Sequence, residues 1–416
     1  MKKVIAVVSA AAVAMSMVAC GGSAPASSAA PASSAPAAKA DIALTLWGSE
    51  TQQEQLKEMA DSFVAANADK ANITITVGAL SEASAKDQVL ADPTAAADVF
   101  CFADDQINNL VAAGALQEVN EQVTPGIAER NSAGSVEAAS VGGKLYAYPM
   151  TADNGYFMYY DKSVFSEEDV QSLDKMMEVA AAAGKKVSME LSNGWYMYSF
   201  FAGAGLELDL AEDGKTNICN WNAEPGAKVV EAMIAIANNP GFVSQNDGDF
   251  VSAIKDGTVA AGINGAWNST VAEEAWGENY AAVKLPTYTL DGEQVQMSSF
   301  AGYKLVGVNP HSANAGWAML LADYITSEES QIARFEAYGQ GPSNINAAAS
   351  EAVQSAPAIA ALAAQAAYAT PQRVGGNYWT SAESLGTICK NGNPDGTAAQ
   401  TLIDNAVEGI TAPVTE

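Results

Sequence analysis

Histidine occurs once in this 416-residue chain, arginine three times and cysteine four times. The lone His311 sits in Asn309-Pro310-His311-Ser312, which reads as a surface loop ahead of a helix. One histidine argues against a His-based catalytic triad and against a His-rich zinc site. Cys101, Cys219 and Cys389 form an odd, widely spaced set without metal-ligand spacing. At most one pair of them can bridge, and free buried thiols are the simpler expectation. The arginines, Arg130, Arg334 and Arg373, stand outside the aromatic clusters. Receptors for carboxylates, sulfonates or phosphates ordinarily clamp the anion with a bidentate guanidinium, so this scarcity points to an uncharged ligand. Phosphate-cradling GxxxxGK and GxGxxG loops are missing, and no cofactor is expected. Positive charge is short overall. Twenty Lys and Arg against 48 Asp and Glu leave a net charge of −28, which repels nucleic acid and anionic lipid headgroups.

The apolar run over residues 4–19 has sixteen residues, short of the roughly 20 that span a bilayer. Behind Lys2-Lys3 it reads as a secretory leader, residues 1–19. Its end, Ser16-Met17-Val18-Ala19-Cys20, resembles a bacterial lipobox, which implies cleavage before Cys20 and diacylation of that cysteine. Residues 20–40 follow as a Ser/Ala/Pro stretch that buries no apolar surface and is expected to stay disordered. Extended at roughly 3 Å per residue, it reaches about 60 Å. The expectation is an extracellular monomer, held to the outer face of a bacterial cytoplasmic membrane by its lipid alone.

Hydrophobic residues make up 49% of the chain with a mean hydropathy of +0.02, a globular composition long enough for two domains. IALTLWG (42–48), ITITV (73–77) and ADVFCFA (97–103) read as strands. An amphipathic helix with Leu56, Met59, Ala60, Phe63 and Val64 on one face separates the first two, and Ser49 or Thr51 is its candidate cap. Strand–helix–strand alternation implies a parallel sheet with helices on its faces, whose ligands bind beyond the carboxyl ends of strands. Thr151-Ala152-Asp153 reads as a crossing between domains, and GYKLVGVNP (302–310) as a strand returning to the first.

Several stretches carry a family resemblance: DGTVAAGINGAW, AYPMTADNGYFMYYDKSVF, GQGPSNINAA and NYWTSAESLGTI. Together they resemble the extracellular solute-binding proteins of ABC importers, in particular the maltose/maltodextrin-binding family, over roughly residues 41–410. The resemblance implies an α/β, two-lobed periplasmic-binding-protein-like fold of type II. Each lobe is then a mostly parallel sheet flanked by helices, joined by hinge crossings. The lobes would comprise 41–151 plus 302–350 and 152–301 plus 351–416. It implies no enzyme activity. It implies capture of a maltodextrin-type oligosaccharide by closure of the cleft, and delivery to the transmembrane subunits of a permease.

Site residues carry over where the motif matches. Trp267 and Trp379 fall on tryptophans that stack on glucosyl rings. In LSNGWYMYSFF the family's Glu-Pro-aromatic-aromatic run is matched by Asn193, Gly194, Trp195 and Tyr196, which keeps the aromatics and loses a carboxylate. Phe102 replaces a tryptophan. Asp105, or Asp104 in a register shifted by one, keeps a hydroxyl-binding acid, and Gln106 replaces the arginine beside it. Asp153 replaces a glutamate, Ser49 and Glu50 stand in for an Asp-Lys pair, and Tyr378 precedes Trp379.

The residue chemistry leads the same way without the resemblance. A sugar ring has an apolar C–H face and a rim of hydroxyls, so its site needs flat aromatics plus carboxylate or amide acceptors. Trp195, Trp267 and Trp379 each neighbour Gly, Asn or Ser at the edge of an element, whereas Phe157, Tyr159, Phe200 and Phe201 sit in runs that read as core. A galactoside or fructan fits the same chemistry. A secreted glycoside hydrolase also combines aromatics with acids, although the acids near these aromatics form no matched pair.

Overall fold

The structure is a computed structural model and describes residues 39–211 and 213–413. Cys20 and all but the end of the tether lie outside the described residues. Among these residues no helix is long and apolar enough to cross a membrane.

The first sheet forms where the sequence alternates. β1 (Ala40–Gly48) buries Ile42, Leu44 and Leu46 on one face and pairs in parallel with β2 (Ala71–Ala79), from Ala40 opposite Ala71 to Gly48 opposite Ala79. β3 (Val99–Ala103) is buried along its whole length, as a central strand should be, and lies parallel to β1. α1 (Gln53–Ala66) packs Leu56, Met59 and Phe63 over the sheet. Neither Ser49 nor Thr51 caps it. Their hydroxyls bond each other at 3.1 Å, and Gln53 Nε2 ties down the Gly48 and Ser49 carbonyls instead.

The chain leaves this sheet through β4 (Ala147–Thr151) and enters a second one at β5 (Tyr156–Asp161). β6 (Lys186–Ser188), β7 (Phe242–Val243), β8 (Val259–Gly265) and β9 (Tyr280–Val283) complete the second sheet in the order β7-β6-β8-β5-β9. β10 (Lys304–Val308) then returns to the first sheet between β3 and β4, whose order is β2-β1-β3-β10-β4. β10 runs antiparallel to both neighbours, and β5 runs antiparallel to β8 and β9. Each sheet is therefore mixed, with the parallel order confined to its βαβ half.

Each sheet has its own core. The helix Ala315–Ile325 covers the first, burying Ala318, Leu321, Ala322 and Ile325. The chain then crosses again to α2 (Pro357–Gln365), which packs Ala358 and Ala361 on Phe157 and Tyr159 of β5. Farther on, α3 (Asn377–Lys390) and α4 (Ala399–Ile410) bury Ala382, Leu385 and Ile403 with Trp221, Phe200 and Phe201. Cys101, Cys219 and Cys389 are free thiols.

Candidate binding cleft

The carboxyl ends of β1, β3, β6 and β8, with the amino end of the antiparallel β10, surround a cavity of 540 Å³. The first sheet supplies Ser49 and Gln52 after β1, Asp105 after β3 and Lys304 at the start of β10. Facing them, the second supplies Glu190 and Asn193 after β6, Asp247 after β7, and Trp267 after β8. Trp195, Tyr196 and Trp379 complete the apolar wall.

Local structure explains how the indoles come to face this space. β8 is buried over all seven residues, and Trp267 is the middle residue of the short turn Ala266–Asn268 that follows. At Gly265 a Cβ would collide with the Trp267 ring, so only glycine lets the indole lie against the strand end. Trp267 Nε1 donates to Asp247 Oδ1 at 3.1 Å, and that oxygen also accepts from Asn268 Nδ2 at 2.7 Å. Asn193 caps the helix Gly194–Gly203 by accepting from the Trp195 N–H at 2.9 Å, which fixes where the Trp195 side chain starts. Trp195 Nε1 then donates to Gln372 Oε1 at 2.8 Å. Both polar edges are satisfied, and the rings stay half-buried.

The cleft is acidic. Asp105 Oδ1 is buried there without a hydrogen-bond partner. Burial, reinforced by the neighbouring Asp104 charge, pushes the Asp105 carboxyl up to about 7. Asp104 points away, accepting from the Tyr303 N–H at 2.9 Å and from Arg373 at 3.0 Å, and burial raises it too. Burial also raises Glu190, which accepts from Asn193 Nδ2 at 3.2 Å. Arg373 is tied to Asp104 and Arg130 to Asp323, and Arg334 is buried; none of the three lines the cavity. A bidentate anion clamp has no guanidinium to use here.

The residues read from the sequence are not all brought together. Trp195, Trp267, Trp379, Tyr196, Asn193, Asp105 and Ser49 line the cavity. Phe102 does not: it is fully buried in the same cluster as Phe100 and Leu305, beneath the sheet. Tyr378 is also core. On α3 it points about 100° away from Trp379 and donates its hydroxyl to the Gly194 carbonyl at 2.6 Å. Glu50 is exposed on the outside of a turn whose inner side carries Gln52. Asp153 faces a separate cavity of 340 Å³ at the crossing, where its Oδ2 accepts from the Gly341 N–H at 2.6 Å.

Asp247, Glu190, Gln372 and Lys304 were missed. Asp247 had a local signal, since it opens the helix Asp247–Lys255 just after a strand, where a cleft acid belongs. The other three depend on long-range packing.

The family described as bacterial extracellular solute-binding protein matches residues 58–361. A solved structure described as being with acarbose is 33% identical, covers 90% of this chain and 99% of its own, and superposes with a TM-score of 0.78. Maltodextrin binding protein MalE1 from L. casei BL23, solved without ligand, is 28% identical, with coverage of 89% and 99% and a TM-score of 0.72. The maltotriose-binding protein of Pyrococcus abyssi is 23% identical over 234 residues, 53% of this chain. That match spans only 49% of the curated relative.

Proposed function

Because this chain belongs to the family of bacterial extracellular solute-binding proteins, we propose that it captures an uncharged oligosaccharide of the maltodextrin type and passes it to the membrane subunits of an ABC importer. The observation that carries this reading is the convergence of Trp195, Trp267 and Trp379 with Asp105, Glu190 and Asp247 around one cavity, without a guanidinium. Indoles match the C–H faces of pyranose rings, and carboxylates accept from their hydroxyls. Relatives that bind maltotriose and acarbose point to the same ligand class.

Its walls come from two sheets joined by crossing segments. A ligand touching both walls favours the closed arrangement over the open one. Moving from mostly open to mostly closed takes about 5 kcal/mol of differential affinity, within reach of a few ring stacks and hydroxyl hydrogen bonds. The loaded, closed form is the one presented to the permease. In the same reading Cys20 carries the lipid and residues 21–40 tether the protein to the outer face of the membrane.

Isothermal titration against a panel of α- and β-linked oligosaccharides tests this. Saturable binding of maltotriose, with the sugar recovered intact, is expected. Absence of binding to every α-glucan, or release of smaller sugars, overturns it.

A further inference from the structure

One cation in the cleft has no role in the reading above. Lys304 opens β10 and is only 9% exposed, yet its ammonium takes part in no hydrogen bond or ion pair among the described residues. Among the described residues its ammonium stands over the Trp267 ring, with Nζ 4.9 Å from the ring centre. Asp153 feels the charge, which holds its carboxyl below where burial alone would put it, but no ion pair joins them.

The ammonium has three donors, and where it opens onto the cavity they must be met by water or by a ligand. An aromatic face attracts the charge and supplies no lone pair directed at an N–H. Lys304 therefore sits in the cavity wall as a charged donor awaiting acceptors. Its position is also unusual. It extends from the first sheet, and the indole it contacts belongs to the segment following β8 of the second. Whatever lies against Trp267 meets the ammonium as well, and so touches both walls.

We propose that Lys304 is a specificity-determining ligand contact. It donates to hydroxyl or ring oxygens of the sugar unit held against Trp267, and so makes closure depend on an oxygen-rich ring at that position. This assignment rests on the oligosaccharide reading and deepens it. An aromatic or purely apolar ring of similar size would stack on the same indole and leave the ammonium unsatisfied, so it is selected against.

The test is titration of maltotriose into wild type and Lys304→Met, with melting curves of both free proteins. Methionine keeps the length and removes the charge and all donors. Removing an ammonium that has no hydrogen-bond or ion-pair partner in the protein does not weaken the fold, so the melting temperature should stay the same or rise while Kd for maltotriose rises 10-fold or more. Unchanged or tighter binding by Lys304→Met means that the ammonium merely occupies the indole face in place of ligand, and overturns the assignment alone. A loss of binding accompanied by a lowered melting temperature makes Lys304 structural and also overturns it. Failure of wild type to bind maltotriose or any other oligosaccharide removes the underlying reading, and this assignment with it.

Discussion

The indoles of Trp195 and Trp267 lie 5.8 Å apart, centroid to centroid, with their planes inclined by 31°. A pyranose ring held between two parallel indoles needs about 7 to 8 Å, twice the separation of carbon atoms in contact. The pair is too close to sandwich a sugar. It forms one adjoining platform, on which the proposed oligosaccharide would lay neighbouring sugar units against the two rings.

Trp267→Ala should therefore weaken oligosaccharide binding about 10-fold or more, the equivalent of about 1.4 kcal/mol lost from a ring stack. The half-buried ring lies outside the two main cores, so the melting temperature should move little. Calorimetric titration and thermal denaturation of one preparation check both. A large stability loss with normal binding returns this indole to a packing role.

Gly265→Ala tests how that ring is seated. The added methyl would occupy the space of the Trp267 ring, which must shift or strain the strand end. Insertion of this kind typically costs about 1 to 3 kcal/mol. A lower melting temperature together with weaker sugar binding is expected, and a blue- or red-shifted tryptophan emission reports the displaced indole.

Asp247→Ala leaves Trp267 Nε1 and Asn268 Nδ2 without their shared acceptor. A net loss of about 0.5 to 1.5 kcal/mol for the bond that anchors Trp267 predicts a fall in affinity of roughly 2- to 12-fold. Tryptophan fluorescence titration is the convenient readout, because the indole concerned is the one that loses its anchor.

Asp105 makes stability depend on pH. Its folded carboxyl titrates at about 7, whereas an unfolded aspartate titrates near ~3.9. Between these values the native state holds the extra proton, so this residue's contribution to stability falls as pH rises through that window. Asp105→Asn cannot titrate. Its melting temperature should gain on wild type between pH 4 and pH 7.5, and a constant difference across that range would show that the carboxyl is ionised throughout.

Much of the fold was legible from periodicity. Alternation in β1 and β2, the continuous apolar run of β3 and the heptad-like face of α1 each require a single pairing or packing. β10 was legible as a returning strand, but its antiparallel direction was not, because direction depends on where the chain has been. Within the cleft, Trp195 and Trp267 could be read because glycine and asparagine beside an aromatic mark the edge of an element. Phe102 and Tyr378 misled for a physical reason: resemblance suggested the first and the neighbouring Trp379 the second, whereas strand alternation and helix rotation decide which side of the element a ring occupies. Lys304 could not be found in this way. A lysine within KLVGV looks like an edge residue until the returning strand is placed beneath the indole of another sheet.

The most direct measurement is a crystal structure of the protein with maltotriose bound. It should show glucosyl rings against Trp195, Trp267 and Trp379, with Asp105 and Asp247 on the hydroxyl rim. Sugar bound away from all three indoles, or indoles turned into the cores while the sugar is held elsewhere, would contradict the account.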